Sequence, residues 1–372
     1  MDFSESETQQ ELSALARQIL TERVTPARLC DIEEKSDRFD PELWAVLAEA
    51  GILSAALPDS LGGAGLGFLE QCSVLVEAGR TVAPVPYLAC AMLGAGALAT
   101  FASHEQHHHW AAAAGRGESI LTAALSEEDG DDPRCPGAHA ERTGGRWRLT
   151  GTKTAVPAAP LARYLLVPAV TPQGTAVFVV AASDDGVTVE RQRATDGYTT
   201  GRVTLGGVAL TDDRVLGDLG NGQEVTDWLV SRAMVGLAAL QYGVAGRALE
   251  LTAEYARNRV QFGRPIGSFQ AVSQRLADAY VDVEAIRLTM WQAAWQLAMG
   301  LPSETEVATA KFWAADAGHR VAHTAVHVHG GMGIDTDYPL HRYFLAAKHH
   351  EFALGGATTQ LRRIGAALAS DS

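Results

Sequence analysis

The sequence predicts an α+β fold in three consecutive segments: an N-terminal helical domain, a middle β barrel or sandwich, and a C-terminal bundle of about four helices. Apolar residues recur at helical spacing in the first segment, and long helical patterns return in the last. Between them, short apolar or alternating runs are separated by Gly, Pro and Asp, as in β domains. We therefore divide the chain into residues 1–118, 119–222 and 223–372.

Helix start and stop signals mark the first segment. Ser4, followed three residues later by Glu7, predicts a capping box ahead of a helix with an apolar stripe. Asp40 before Pro41 predicts the start of a second helix, and Gly51 predicts its end. At least two helices are therefore expected before the first strand pattern.

Three runs predict strands in the middle segment. Residues 146–150 alternate with period two, residues 176–181 are continuously apolar, and residues 201–205 end at a turn predicted at Gly206 and Gly207. Several short strands separated by turn residues are typical of a barrel or a sandwich.

Long helical patterns fill the last segment. We predict helices over residues 224–258, 268–299 and 304–329, with a final pair after Pro339. Long helices joined by short connections pack as antiparallel neighbours, so a helical bundle is expected.

Composition excludes several classes of protein. With 44 Asp and Glu against 30 Lys and Arg, the 372-residue chain carries a formal charge of -14, which disfavours binding to nucleic-acid phosphates. The four cysteines show no paired spacing, so we expect a reducing cytoplasm and neither a disulfide framework nor a zinc ribbon. The acidic N-terminus does not look like a signal peptide. The apolar residues 87–102 fall short of the ~20 of a membrane span, so we expect a buried helix there.

Histidines at four-residue spacing raise the question of a metal site. His319, His323 and His327 would share one helix face, where such a pair of imidazoles can bind zinc. No carboxylate or cysteine stands at a partner spacing in the sequence, so we favour helix packing and predict no metal. The glycine-rich residues 61–67 miss the G-x-G-x-x-G spacing and predict a structural turn.

Two segments of the last domain suggest a phosphate-bearing ligand. Residues 255–270 end one helix and start the next, so Arg257, Arg259 and Arg264 gather near backbone amides at a helix start. Such a corner suits a pyrophosphate. Residues 327–333 end a helix in a glycine pair that lets another chain or a cofactor approach the backbone closely. Taken alone, each segment is equally consistent with a plain helix connection.

Together these segments resemble the acyl-CoA dehydrogenase family, flavoenzymes that introduce an α,β double bond into acyl-CoA thioesters. The string R-x-Q-F-G-x-P-I-x-x-F-Q spans residues 259–270, and the helical, β, helical order matches over essentially the whole chain. The resemblance implies dimers, usually paired into tetramers, with each FAD lying across a dimer interface. Its flavin ring would lie against one subunit's β domain, and its ADP portion on the other subunit's turn and glycine loop. The residues that match this ADP-binding set are Arg259, Gln261, Phe262, Gln270, Gly330 and Gly331, with His327 in place of the family's usual glutamine.

The catalytic base departs from the family pattern. The family removes the α-proton with a glutamate in a C-terminal E-G-T motif, whereas this chain has Leu354 there, and leucine cannot accept a proton. We therefore predict no catalytic residue in this chain. A subset of the family carries its base at the start of a long helix, where this chain has Ser231 or Ala233. Glu224 and Asp227, one to two turns earlier, remain candidates but are more typical of solvated acids at a helix start.

The motifs that contact the flavin in the family are also altered. The family's glutamate-proline and alanine-glycine-serine-aspartate string is replaced by residues 126–132, and its tryptophan-x-threonine by residues 155–157 after Lys153. Its C-terminal arginine-aspartate is replaced by residues 345–346. A chain that has lost these contacts but retained the ADP-binding set resembles one half of a heteromer. Actinobacterial dehydrogenases of cholesterol side-chain degradation are similar: they are heterotetramers in which one subunit type lacks the base.

The resemblance implies FAD as cofactor, a base-bearing partner subunit, a steroid acyl-CoA thioester as substrate and an electron-transfer flavoprotein as acceptor. Three alternatives remain. A homomeric dehydrogenase that uses Glu224 or Asp227 would turn over as a single chain, and a non-catalytic scaffold on the same fold would bind no flavin. A histidine-metal enzyme would contain stoichiometric zinc or iron.

Overall fold

The computed structural model describes residues 5–35, 37–103, 106, 110–130 and 132–370. The chain forms two compact units. The helical unit is drawn from Met1–Arg28, Phe68–Ala83 and Met234–Ser372, and the sheet unit from Leu29–Gly67 and Pro84–Ala233. The helical, β, helical order along the chain is confirmed. The domain boundaries at residues 118 and 222 remain a prediction.

Helices and strands within the described residues follow the predicted order. The helices are α1 (Glu7–Arg23), α2 (Pro26–Glu33), α3 (Pro41–Glu49), α4 (Phe68–Thr81), a π-helix (Leu88–Ala95), α5 (Gly96–Phe101), α6 (Ala112–Gly115), α7 (Gly222–Asn258), α8 (Gln270–Ala298), α9 (Glu304–His329), α10 (Leu340–Phe352) and α11 (Ala357–Ser370). The strands are β1 (Leu121–Ala123), β2 (His139–Thr143), β3 (Arg146–Pro157), β4 (Tyr164–Thr171), β5 (Gly174–Ala181), β6 (Val187–Arg193), β7 (Thr199–Leu210), β8 (Val260–Gln261) and β9 (Arg264–Pro265).

The first helix is capped two residues later than predicted. Ser6 Oγ accepts a hydrogen bond from the backbone N–H of Gln9 at 3.1 Å, and the Gln9 side chain accepts one from Ser6 N–H at 2.9 Å. The prediction of a box formed by Ser4 and Glu7 was wrong, and Ser4 itself lies outside the described residues. A glutamine three residues after the serine accepts the serine N–H as well as a glutamate does, while the serine Oγ accepts the glutamine N–H, which explains the shift.

Other predictions for the N-terminal segment are confirmed. Asp40 caps α3 by accepting hydrogen bonds from the N–H groups of Glu42 and Leu43. Gly51 follows the end of α3 with φ at +74°. The apolar residues 87–102 form the π-helix and α5, whose side chains are mostly buried.

One mixed sheet organises the sheet unit. Among the described residues its strand order is β1-β4-β2-β3-β7-β6, with β5 paired to β4. Alternate residues of the strands point into a core, where the rings of Trp147 and Phe178 meet edge to face at 5.7 Å. Both rings are at most 1% exposed, so their burial, at ~25 cal/mol per Å² of apolar surface, is a large part of this core's stability.

Strand β7 does not end where the sequence predicted. It continues past Gly206 and Gly207 to Leu210, so the turn predicted at this glycine pair was wrong. The register on β3 shifts between Leu149 and Thr150, opposite this pair, and Gly207 has φ at +71°. The glycine pair therefore makes a β-bulge, a feature that uses the same left-handed glycine as a turn.

Glycines allow a close helix crossing in the helical unit. A Cβ atom added to Gly79 of α4 would lie 2.2 Å from the oxygen of Leu240, and one added to Gly243 of α7 would lie 2.1 Å from the oxygen of Val76. Only glycine fits at either position. Helix α9 packs against α8, α10 and α11, as a bundle requires.

Helix α7 is the one described helix that is long and apolar enough to cross a membrane. In its most apolar window, 72% of the residues are buried inside the protein.

Candidate cofactor site and base position

A tight hairpin follows α7. Strands β8 and β9 pair antiparallel around Phe262 and Gly263, which have φ values of +52° and +80°. Two left-handed central residues are typical of a type I′ turn. Arg259 N–H donates to the Tyr255 oxygen at 2.8 Å, and Ile266 N–H donates to the Arg259 oxygen at 2.8 Å, which closes the base of the hairpin. The hairpin holds the Phe262 side chain 93% exposed.

The start of α8 is open to an anion. Phe269 stands at the N-cap position and supplies no side-chain hydrogen bond, so no capping side chain competes with a ligand for the first amides of the helix. The guanidinium of Arg264 lies 4.2 Å from the centroid of the Phe269 ring, which fixes this corner. Gln270 is the exposed first residue of α8.

The glycine loop after α9 exposes its backbone. Gly330 ends the helix with φ at +61°, and a Cβ atom added to Gly330 or Gly331 would meet nothing within 4 Å. His327, on the last turn of α9, is exposed. The ring of His329 stacks on Tyr255, with centroids 4.3 Å apart, so the end of α9 that leads into this loop meets the end of α7 that leads into the hairpin.

These features fit the ADP portion of FAD. An exposed arginine, an uncapped helix start and an open glycine backbone are the groups that bind a pyrophosphate, and an exposed aromatic ring can stack on a base. The structure brings the predicted ADP-binding residues to two adjoining segments of one unit. Their role in binding remains a prediction. The set is Arg259, Gln261, Phe262, Gln270, His327, Gly330 and Gly331.

The position aligned with the family's base is held firmly but carries no carboxylate. Leu354 lies between α10 and α11 with φ at +56°, an uncommon conformation for a bulky residue. Gln360 Nε2 donates to the oxygens of Leu354 and Gly355 at 3.2 and 3.0 Å. This loop therefore keeps a defined shape while presenting an apolar side chain.

A buried lysine bonds to the end of the helix that precedes this loop, and the sequence analysis missed it. Lys311 Nζ donates to the oxygens of His350 and Glu351, at 3.0 and 3.2 Å, near the end of α10. Burial lowers the pKa of Lys311 to about 7. A lysine amid the buried alanines of α9, such as Ala308 and Ala315, was the available signal.

The alternative bases near the start of α7 are placed in the sheet unit. Asp227 accepts a hydrogen bond from Gln223 Nε2 at 3.1 Å and lies 3.6 Å from the guanidinium of Arg134. Glu224 is exposed on the first turn. A carboxylate paired with an arginine is a poorer proton acceptor, which weakens the case for Asp227.

A buried ion pair lies beside the altered flavin motifs in the sheet unit. Lys153 is fully buried and its Nζ lies 2.5 Å from Glu127 Oε1. Burial lowers the pKa of Lys153, and the Glu127 carboxylate opposes this shift. Burial alone would raise the pKa of Glu127, but Lys153 and the amides of Gly137 and Ala138 hold it below its usual range.

The strand segment after Lys153 is satisfied internally. Ala155 has φ at +48°, and its N–H donates to Gln192 Oε1 at 2.8 Å. Gln192 Nε2 also donates to Thr154 Oγ1 at 3.2 Å. Pro157 has no N–H to offer. This segment therefore leaves few backbone donors for a ligand, in line with the loss of the family's motif.

The histidines on α9 form a side-chain network. The rings of His319 and His323 lie 4.3 Å apart between centroids. Glu351 and Lys348 of α10 lie 3.1 and 2.9 Å from His319 Nδ1, so the fold brings a carboxylate to the first histidine that the spacing in the sequence did not indicate. That carboxylate is paired with the lysine. The described residues contain no group of three or more His, Cys, Asp or Glu side chains suited to a metal ion.

Comparison with known proteins identifies the family. Residues 6–118 match the N-terminal domain, and residues 220–369 the C-terminal domain, of acyl-CoA dehydrogenases. The chain is 51% identical over 377 residues to the acyl-CoA dehydrogenase FadE27 of Mycobacterium tuberculosis, covering 99% of each chain. Its fold matches a chain of the ChsE4-ChsE5 complex from Mycobacterium tuberculosis with a TM-score of 0.95, at 52% identity and 99% coverage of each. A second similar structure, the steroid ACAD Tcur3481-Tcur3483, has a TM-score of 0.92 at 42% identity and 98% coverage of each.

The protein is therefore a flavoenzyme of the oxidoreductase class, and it belongs to the acyl-CoA dehydrogenase family. Its cofactor is FAD.

Proposed function

We propose that this chain is the base-lacking subunit of a heterotetrameric acyl-CoA dehydrogenase that acts on a steroid side-chain thioester in cholesterol catabolism. It would bind the ADP portion of FAD while a partner subunit supplies the catalytic base. The observation that carries this proposal is Leu354, an apolar side chain on a loop that Gln360 holds by its hydrogen bonds to the oxygens of Leu354 and Gly355.

Division of labour follows from the chemistry of the side chains. The chemistry that FAD would supply when bound is acceptance of the hydride from the β-carbon of the thioester. The α-proton needs an acceptor, and Leu354 has none, so the partner's carboxylate must take it. On this chain the Arg259 guanidinium would bind the pyrophosphate through charge-assisted hydrogen bonds, and the open start of α8 would add backbone amides.

The assembly and substrate are supported by similar proteins. One related structure is a ChsE4-ChsE5 complex, and another is described as a steroid ACAD. A half-site without base or flavin leaves room at a subunit interface that an acyl chain and second flavin would otherwise fill. Burial of a steroid nucleus there would contribute ~25 cal/mol per Å² of apolar surface.

Two further parts of the proposal concern the setting. We place the enzyme in the cytoplasm, because the four cysteines show no paired spacing in the sequence, as expected of a chain in a reducing compartment. We expect an electron-transfer flavoprotein to reoxidise the flavin, as the family resemblance implies.

Retention of FAD by an arginine variant tests the proposal. The chain is co-purified with a base-bearing partner, and the dissociation constant for FAD is measured by titration. Arg259→Ala should raise that constant by about 10- to 100-fold, because a charge-assisted hydrogen bond is worth roughly 1.5–3 kcal/mol. Arg193→Ala, at an exposed arginine of β6, is the control and should bind FAD like the wild type. Equal retention by both variants would contradict the ADP-binding role.

A further inference from the structure

Two rings stack and a third contacts the central one where the ends of α7 and α9 meet in the helical unit. The Tyr255 and His329 rings lie 4.3 Å apart between centroids, with planes inclined by 24°. The Tyr338 ring also contacts His329: the two ring centroids lie 5.2 Å apart and the ring planes are inclined by 49°. His329 is only 4% exposed, so the central ring of the three is buried.

Hydrogen bonds fix the orientation of the central ring. His329 Nδ1 lies 2.8 Å from the Ala325 oxygen, and a carbonyl only accepts, so Nδ1 carries the hydrogen. Burial lowers the pKa of His329, which keeps the ring neutral. The other nitrogen, Nε2, therefore accepts from the Tyr338 hydroxyl at 3.2 Å. Both ring nitrogens are occupied, and the ring cannot flip without losing both bonds.

Each ring is attached to a different segment of the site. Tyr255 lies on the last turn of α7, and its main-chain oxygen accepts the N–H of Arg259, so the residue that carries the first ring also anchors the start of the hairpin. His329 directly precedes Gly330, and a Cβ atom added to Gly333 would lie 3.2 Å from His329 Cβ, so the glycine loop folds over the second ring. The main-chain oxygen of Tyr338 lies 2.7 Å from His341 Nδ1, so the residue that carries the third ring is bonded to the first turn of α10.

We propose that His329 is a positioning residue that holds the hairpin and the glycine loop at a fixed separation, so that both can contact the ADP portion of one FAD. This inference rests on the proposed function. His329 itself would touch no cofactor, because its ring is buried and both nitrogens are used within the protein.

Preorganisation gives the stack its effect on binding. A ligand held by two segments loses affinity if the segments move independently, because binding must then order them. A stacked aromatic pair and two hydrogen bonds each contribute modestly, and together they remove that motion. The effect should therefore appear in the dissociation constant rather than in the chemical step.

Binding of ADP to the heteromeric complex isolates this half of the site. ADP and FAD titrations are compared for His329→Ala, His329→Phe and Tyr338→Phe, and kcat is measured at saturating FAD. His329→Ala should raise both dissociation constants about tenfold, while Tyr338→Phe, which removes one neutral hydrogen bond, should raise them about threefold. His329→Phe keeps a ring in the stack and should fall between these two. In all three variants kcat at saturating FAD should stay within about twofold of the wild type, since the reacting atoms are untouched.

His139→Ala provides a matched control, because His139 is an exposed histidine on β2. It should bind ADP like the wild type.

Arg259→Ala separates the two proposals. If Arg259→Ala weakens ADP binding and the His329 and Tyr338 variants do not, the positioning role is overturned and the proposed function stands. If neither residue affects ADP binding, the proposed function fails. A fall in kcat with unchanged ADP binding would show a merely structural role and would also overturn the inference. Tyr338→Phe loses a single hydroxyl, so it keeps the test decisive if His329→Ala does not fold.

Discussion

Lys311 Nζ lies 3.0 Å from the main-chain oxygen of His350, and the lysine side chain has no exposed surface. The bond ties the middle of α9 to the last turn of α10, just ahead of the loop that carries Leu354. A buried ammonium at a helix C-terminus satisfies carbonyls that would otherwise lack partners. Its burial also makes stability depend on pH.

The unfolding free energy should rise with pH through Lys311. The pKa of Lys311 is about 7 in the folded protein, whereas an ordinary lysine, as in the unfolded chain, has a pKa of 10.5. At pH values between these two the unfolded chain therefore binds more protons. Between pH 7 and pH 10.5 the free energy of unfolding therefore rises by at most ~1.4 kcal/mol per pH unit. Below this range Lys311 is protonated in both states and makes no contribution to the pH dependence. Urea unfolding of the complex near pH 7 and pH 9 measures the effect.

Lys311→Met should remove this dependence whatever its absolute stability. Lys35→Met, at an exposed lysine, should keep it. Parallel pH profiles for the wild type and Lys311→Met would show that another group is responsible.

Adjacent glutamates offer a matched pair of variants in the sheet unit. Glu127→Gln should destabilise the fold by about 3 kcal/mol, because it leaves the fully buried Lys153 without its counter-charge. Glu128→Gln breaks only a half-exposed pair with Arg202 and should cost less than ~1 kcal/mol. Urea unfolding midpoints compare the two. Equal costs would mean that the buried pair contributes no more than a surface one.

Leu354 should be dispensable for the rate. In the complex, Leu354→Ala should leave kcat nearly unchanged, whereas removal of the partner's carboxylate should lower it by the ~10²–10⁴-fold typical of a lost general base. A large loss of kcat on Leu354→Ala would refute the base-lacking role.

A glutamate at this position should not create a second active site. Leu354→Glu in the chain without its partner should remain inactive, since the N–H of Ala155 is already bonded to Gln192 and Pro157 has no N–H to offer a flavin. Turnover by this variant alone would show that the flavin side of the chain is intact.

Helix order was predictable, but several site features were not. The long C-terminal helices were predicted within a few residues, because apolar periodicity sustained over many turns is a strong local signal. Gly207 was read as a turn, since a left-handed glycine serves a turn and a bulge alike. The role of Lys311 depends on α10 lying beside α9, which no local pattern specifies.

The candidate site divides in the same way. The turn between α7 and α8 was found because its residues are consecutive and its turn chemistry is local, although the pairing of β8 with β9 within it was not predicted. The contacts of His329 with the rings of Tyr255 and Tyr338 were missed, because the three rings come from three separate segments. Only the fold brings them together.

Substrate preference tests the steroid part of the proposal. The complex should oxidise a 3-oxo-steroid side-chain CoA thioester with a kcat/KM well above that for octanoyl-CoA or palmitoyl-CoA, because a larger apolar nucleus buries more surface at ~25 cal/mol per Å². Steady-state kinetics with the three thioesters give the ratio. Equal or better turnover of the straight-chain thioesters would overturn the steroid assignment and leave the family membership intact.

Stoichiometry of FAD is the most direct test of a chain that binds only the ADP portion. The chain alone and the complex with a base-bearing partner are purified, and flavin absorbance is compared with protein concentration. We expect the chain alone to bind FAD poorly and the complex to hold about one FAD per heterodimer, since each FAD needs donors from both subunits. A yellow, fully loaded homodimer of this chain would contradict the account.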